Sequence, residues 1–364
     1  MAKTTQHSFD IRFPVAFGSG LATALLFVAA RRQGAFEALL LASMSPLPIM
    51  IATLGFDDKA GLGAAIVAAV TIAALIVATA TAAVSFKVLI GACVAGLVFA
   101  ACLSLPSWWF ARLAGAGKAQ VIAPWIARLL LRAGVKPAEP ETRITTRSRY
   151  PFGDILISIA VVAFVIVTAI TVALVLQQPS FDAGLAKAVA RVEPLITEML
   201  GARELPKNIE LAALARMVVE AMPATASSMI VLAFAADLWV AARVADLSHR
   251  LPYAWPDIPH DLRVPRSAAI VFIACLGMCF LPGLTGIIAS IGAAAVGLIF
   301  VLQGLAVVHD LSRGIKFRIA LLSGVYVALA LLMPWPLIIF AIIGLAEAGF
   351  CLRDKKAAAA SPYS

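Results

Sequence analysis

Apolar runs long enough to cross a bilayer recur along this chain, and they constrain its fold more than any other feature. A bilayer core of about 30 Å takes roughly 20 apolar residues as a helix, with a range of about 17–25. Ten segments meet that pattern: 13–30, 36–54, 61–84, 88–110, 152–176, 217–242, 268–286, 288–308, 317–333 and 335–351. Of the 364 residues 62% are hydrophobic and 13% are charged, against roughly 45–50% and about 25% in soluble domains. The solvent-facing half of a soluble protein could not be built from such a composition. A soluble enzyme, a disordered chain and a nucleic-acid-binding domain are excluded. The expected fold class is an all-α, polytopic transmembrane helical bundle of about ten spans, or nine if the last two runs are one helix.

Those last two runs read as separate helices. One helix over 317–351 would be about 52 Å long at about 1.5 Å per residue, too long for a single crossing. Pro334-Trp335-Pro336 stands at its middle. Each proline removes a helix donor and disfavours helix just before it. Trp335 would anchor the turn at the interface. At the other terminus Lys3, Arg12 and the run ending Val28-Ala29-Ala30 have the outline of a signal peptide. The length of the run favours an uncleaved first span.

The charges orient the spans. Lys and Arg number 29 and Asp and Glu 20, for a net charge of +9. With a cytoplasmic N-terminus and ten crossings, 21 Lys and Arg fall inside and 8 outside. That split follows the positive-inside rule. It implies a bacterial inner membrane protein with both termini in the cytoplasm, although Arg31-Arg32 falls in a short outer loop. The division expected is an N-terminal four-helix part at 1–110, a basic cytoplasmic loop at 111–151, a six-helix part at 152–351 and a tail at 352–364. Within the loop, 121–132 places Arg128 and Arg132 one turn apart on an amphipathic stretch. It reads equally as an interfacial helix or a plain connector. The outer loop 177–216 carries five basic and five acidic residues among apolar residues at helical spacing, and predicts one or two short helices.

Polar side chains inside spans are costly, and each is a functional candidate. Glu220, Asp237, Gln303 and Glu347 are the candidate substrate-binding residues. Asp154, Glu37 and Asp310 sit at span ends, within reach of headgroups. Glu220 and Gln303 are expected to face a shared polar cavity between the sixth and eighth spans. There Glu220 would supply charge and Gln303 orientation to a small polar or cationic solute. The four histidines form no HExxH, and neither GxSxG nor GxxxxGK[ST] occurs. No catalytic residue, metal or cofactor is expected, and an ATP-driven role would need a partner subunit. The five cysteines show no CxxC spacing and read as small apolar residues.

Small residues and prolines punctuate the spans. Gly18, Gly20, Ala22 and Ala24 form stripes that permit close helix packing. Ser45-Pro46-Leu47-Pro48, Met222-Pro223 and Pro282-Gly283 predict breaks in the second, sixth and seventh spans. Such breaks either line a substrate cavity or only shape packing.

An ordered set of short motifs carries a resemblance. It comprises Ser45-Pro46-Leu47-Pro48, Tyr150-Pro151-Phe152-Gly153, Met222-Pro223 and Leu262-Arg263-Val264-Pro265. It continues with Leu302 to His309, the basic turn Arg313 to Arg318, Gly324-Val325-Tyr326, Trp335-Pro336, and Ile343-Gly344-Leu345 before Arg353. In this order, over about 15–353, the chain resembles the YybS-like multi-pass membrane proteins, a domain family without a settled activity. Part of that family is similar to the substrate-binding membrane subunits of energy-coupling factor transporters, which usually have six spans. The resemblance implies a transport-related protein, with a small-solute-binding role energised by a coupling membrane subunit with ATPases. The alternative is a non-transporting scaffold for envelope or division machinery.

Overall fold

The computed structural model describes residues 11–30, 34–80, 85–116, 152–200, 210–251 and 255–360. Every regular element among the described residues is a helix. The first are α1 (Arg12–Ala30), α2 (Ala35–Met44), α3 (Leu47–Gly55), α4 (Asp58–Ala78) and α5 (Phe86–Phe99). A π-helical turn at Ala100–Ser104 continues α5 into α6 (Leu105–Ala116). Then come α7 (Phe152–Leu176), α8 (Phe181–Leu200), α9 (Leu211–Leu247) and α10 (Ile258–Asp261). The chain ends with α11 (Arg266–Met278), α12 (Leu284–Leu311), α13 (Arg318–Leu331), α14 (Trp335–Phe350) and α15 (Leu352–Ala360).

Among the described residues seven helical stretches are long and apolar enough to cross a membrane: Arg12–Ala30, Glu37–Gly55, Asp58–Ala78, Phe86–Gly115, Phe152–Leu176, Leu211–Leu247 and Leu284–Leu311. The expected count of ten is not confirmed. The reason is length: α11, α13 and α14 have 13, 14 and 16 residues. At about 1.5 Å per residue they reach only about 20–24 Å, short of the roughly 30 Å core.

Helices group into two compact units, one of residues 1–120 and 233–256, the other of 121–232 and 257–364. The division differs from a simple cut at the basic loop, because the later part of α9 counts with the first unit. The proposed interfacial stretch 121–132 lies outside the described residues.

Alanine and glycine set the packing of the first unit. Ala24, Ile49, Ala52, Ala64, Ala65, Ala68, Ile72 and Phe99 form one buried cluster. In the α1–α4 seam a Cβ on Gly20 would press on the Ala64 carbonyl and the Val67 side chain. Such small residues let helices approach where lipid offers no hydrophobic drive to associate. Gly20 and Ala24 therefore face α4, whereas Gly18 meets open space and Ala22 is half-buried. One end of the unit is polar. Asp57 caps α4 through the Ala60 N–H (2.7 Å) and pairs with Arg12 (2.9 Å). Arg112 pairs with Asp58 (3.2 Å), and Arg250 lies over the Phe56 ring.

The second unit is centred on α12, whose buried face includes Ile291, Ile299, Phe300, Gln303 and Val307. It crosses α14 at backbone contact. A Cβ on Gly304 would overlap the Phe340 carbonyl, and one on Gly344 would overlap the Phe300 carbonyl. Helix α8 is a 20-residue helix in the loop where short helices were expected.

The prolines act unequally. Ser45-Pro46 separates α2 from α3, Pro282-Gly283 lies between α11 and α12, and residues 332–334 separate α13 from α14. Gly283 takes a φ of 73°, which favours glycine. At Met222-Pro223 the expected break is absent, and α9 runs through as 37 residues. A proline removes one donor, and in lipid the remaining backbone groups have no better partners than the helix itself.

The two glycines at the α12–α14 crossing give a direct test. Gly304→Val and Gly344→Val should each lower the thermal unfolding midpoint in detergent, because overpacking costs about 1–3 kcal/mol or more. Gly18→Val should leave it unchanged. Equal midpoints for all three variants would contradict the backbone contact.

Candidate functional site

The second unit holds a buried polar lock. Helix α14 ends at Phe350, and Cys351 takes the left-handed conformation (φ 50°, ψ 56°). The chain thereby doubles back, so that Arg353 meets the last turn of the helix it has just left. Its side chain is wholly buried, and Nε donates to Glu347 Oε1 at 2.8 Å. Nη1 donates to the carbonyls of Pro259 (2.7 Å) and His260 (3.0 Å), and Nη2 to that of Leu262 (2.6 Å). The Arg353 N–H donates to Glu347 Oε2 at 3.2 Å. Gln303 continues the same system. Its amide oxygen accepts from the Val264 N–H (2.5 Å) and its amide nitrogen donates to the Gly344 carbonyl (2.8 Å). Segment 259–264 is thus held by one guanidinium and one amide. On its far side Gly153 of α7 leaves no room for a Cβ against the Arg263 carbonyl.

Ion pairs rim this lock. Arg263 pairs with both oxygens of Asp354 (2.7 and 2.6 Å). Arg313 bridges Asp257 (2.7 Å) and Asp310 (3.4 Å). The hydrogen bond from Arg313 holds the Asp257 carboxyl below the ordinary carboxylate range. The Asp354 bond raises Arg263 above the usual arginine value. Asp257 is therefore ionised at neutral pH, and its contribution disappears only as acid reaches its lowered range. Arg266 differs: its Nε and Nη2 donate to the carbonyls of Ala348 (3.1 Å) and Gly349 (3.3 Å). Nearby, His309 Nδ1 lies 2.8 Å from the Leu305 carbonyl, so it carries the proton when the ring is neutral. Nε2 then accepts from the Tyr326 hydroxyl at 3.2 Å.

Beside the lock lies an apolar cleft of about 160 Å³ between α7, α11 and α12. Its walls include Ile157 and Phe164 of α7, Ser267 and Cys275 of α11, and Gly292 and Ile299 of α12. A Cβ on Gly292 would meet Cys275 Sγ at 3.1 Å and the Phe164 ring at 3.5 Å, so glycine holds that end open. Ser267 marks the other end, next to the lock.

The four candidate binding residues do not line this cleft. Glu347 and Gln303 belong to the lock. Glu220 is half-buried and pairs with Arg216 one turn earlier at 2.9 Å. The shared cavity expected for Glu220 and Gln303 is therefore not formed by their contacts: each is spent on a different partner. Asp237 is 6% exposed in the first unit, three residues beyond Phe234, which packs edge-on to Phe110. Among the described residues no group bonds its Oδ2. Sequence reasoning missed Arg353. Its signal was a single arginine six residues past Glu347, which becomes a partner only through the reversal at Cys351.

Compared with known proteins, the chain matches no family model, no curated protein and no solved structure.

The lock predicts a sharp mutational signature. Arg353→Leu strips the buried Glu347 of its countercharge, and such single removals cost about 3–5 kcal/mol. Adding Glu347→Leu should recover part of that loss, with the remainder reflecting the unpaired carbonyls of segment 259–262. Guanidinium-free thermal or urea unfolding in detergent would measure it. A double variant no more stable than Arg353→Leu would contradict the pairing.

Proposed function

We propose that this chain is a transport-related, multi-pass protein of the bacterial inner membrane that takes its ligand from the bilayer and relies on a partner for energy. The observation that carries this reading is the cleft between α7, α11 and α12. Its lining is almost wholly apolar, so it suits a hydrocarbon tail rather than a small polar solute. Three of the four polar residues that would have received such a solute are occupied: Gln303 and Glu347 hold the lock, and Glu220 holds Arg216. With no phosphate-binding loop in the sequence, an ATP-driven role would need a partner subunit. The resemblance to solute-binding membrane subunits supports the same division of labour.

The orientation belongs to this reading. In the second unit the chain leaves the lock along α11 and returns along α12, then leaves along α13 and returns along α14. The contacts of Arg313 with Asp257 and of Arg353 with Pro259 bring these returns together. Two such hairpins support ten crossings, the shorter helices included, with the basic lock facing the cytoplasm. A cysteine at Leu195 should then react with an impermeant thiol reagent from outside, and one at Lys355 should not, in a background without the five native cysteines. The opposite pattern would overturn the orientation.

The ligand reading is tested by a phosphatidylcholine carrying a photoreactive diazirine in one acyl chain, in detergent–lipid micelles. Labelling should concentrate on residues 157–164, 267–275 and 292–299. Gly292→Leu, which fills the cleft, should abolish that concentration. Labelling spread evenly over all lipid-facing helices and indifferent to Gly292→Leu would overturn it.

The scaffold reading draws on α1, where Gly18 and the exposed Phe13 and Phe17 leave an open face. Cross-linking of a Gly18→Cys variant to another chain, without any cleft labelling, would favour it.

A further inference from the structure

We propose that the cleft binds an amphiphilic ammonium ion, with its hydrocarbon chain between α7, α11 and α12 and its cationic head at the Asp154 carboxylate. This inference rests on the preceding reading of the cleft and adds the charge of the ligand and the residue that selects it.

The register of the three helices places Asp154 at the mouth of the slot. Gly292, Cys275 and Phe164 meet at one end of the cleft. From there α12 runs on to Ile299, while α7 and α11 run back to Ile157 and Ser267. On α7 the lining stripe includes Ile157, Val161 and Phe164. Asp154 continues that stripe, one turn before Ile157 and two turns before Val161. A helical side chain leans toward the N-terminus of its helix, which carries the carboxylate to the Ser267 end and leaves the walls apolar. The lined stretch of α11, from Ser267 to Cys275, is about 12 Å long at about 1.5 Å per residue. A hydrocarbon chain lying there has its head beside Asp154 and its methyl end under Phe164.

The charges of these helices favour a cation. The Asp, Glu, Lys and Arg residues of α7, α11 and α12 are Asp154, Arg266 and Asp310. Asp310 lies near the C-terminal end of α12 and pairs with Arg313. Arg266 stands on the face of α11 opposite Ser267, Val271 and Cys275, and donates to the Ala348 and Gly349 carbonyls of α14. The other arginines beside the mouth are matched by carboxylates, Arg263 by Asp354 and Arg353 by Glu347. Asp154 is half-buried on the cleft side. Among the described residues no donor and no cation reaches its carboxylate, and the Ser158 hydroxyl bonds only its backbone carbonyl. The positive end of the α7 dipole steadies the anion without pairing it. A carboxylate at the edge of an apolar, membrane-embedded slot calls for a partner. An ammonium head on a hydrocarbon chain complements the carboxylate and the slot at once. A phosphate or sulfate head would be repelled, and a neutral head would leave the carboxylate unpaired.

The test uses two photoreactive amphiphiles that share one diazirine-bearing alkyl chain, one ending in trimethylammonium and the other in sulfate. Both are given to the full chain in phosphatidylcholine nanodiscs at equal mole fraction. Wild-type protein should show cleft labelling about fivefold higher with the ammonium, the effect of one half-exposed charge pair. Raising the salt concentration should shrink that preference, a readout that needs no variant. Asp154→Asn should bring the two probes level, and Asp154→Glu should keep the preference. Cleft labelling by diazirine-acyl phosphatidylcholine that persists in Asp154→Asn certifies the fold. Equal labelling by both probes in wild type, or labelling by neither where phosphatidylcholine still labels, overturns this inference and leaves the cleft reading standing. A preference unmoved by salt, or one that survives Asp154→Asn, overturns the assignment to Asp154. Displacement of the ammonium probe by phosphatidylethanolamine at equal concentration overturns the choice of a cation without a phosphate. Absence of cleft labelling by all three probes overturns the reading and the inference together.

Discussion

The second unit depends on how one buried arginine is satisfied. Arg353 has no solvent and little apolar company that could tolerate its charge. An unpaired ion in such a place is costly, and a buried pair breaks even only with good geometry and full hydrogen bonding. Both conditions are met, with Glu347 as counterion and three carbonyls of segment 259–262 as further acceptors. Those carbonyls belong to an irregular stretch at the end of a helical unit, where lipid or apolar packing would leave them orphaned. The ion and the loop solve each other's problem. Gln303 extends the solution by joining the same stretch to α14 through Gly344.

From this lock the rest of the unit follows. Segment 259–264 sets where α11 starts, because Arg266 comes two residues after Val264. The Gly304–Gly344 crossing presses α12 on α14, and Gly153 brings α7 against the segment from the other side. These fixed helix positions leave a gap between α7, α11 and α12 that their side chains do not fill. Gly292 keeps it from closing at the Cys275 end. A slot built by rigid neighbours is a better ligand site than one opened by chance, since no reorganisation is needed to fill it.

Helices were readable in the sequence because lipid demands uninterrupted apolar runs. Pro46, Pro282 and Pro334 marked true ends, each with a turn-forming residue or a second proline beside it. Pro223 was misleading: with no turn partner, a single missing donor did not stop α9. The roles of polar residues were harder to read. Glu347 was visible as a buried acid, but its partner lay across a left-handed turn at Cys351, outside any helical spacing. Gln303 was visible as a buried amide, and only the fold revealed that backbone groups from two other segments satisfy it. Small residues carried the same ambiguity. Gly18 and Gly304 look alike in sequence, yet one meets open space and the other a carbonyl. An apolar cleft has no sequence signature, because its lining residues are those of any span.

The most direct test of this account is a cryo-EM structure in nanodiscs containing phosphatidylglycerol. The account predicts elongated density of one acyl chain between Phe164, Val271 and Val296, beside an Arg353 still bonded to Glu347 and to the 259–262 carbonyls. Helices α7, α11 and α12 closed on one another with no density between them, or a water-filled cavity joining Glu220 to Gln303, would contradict it.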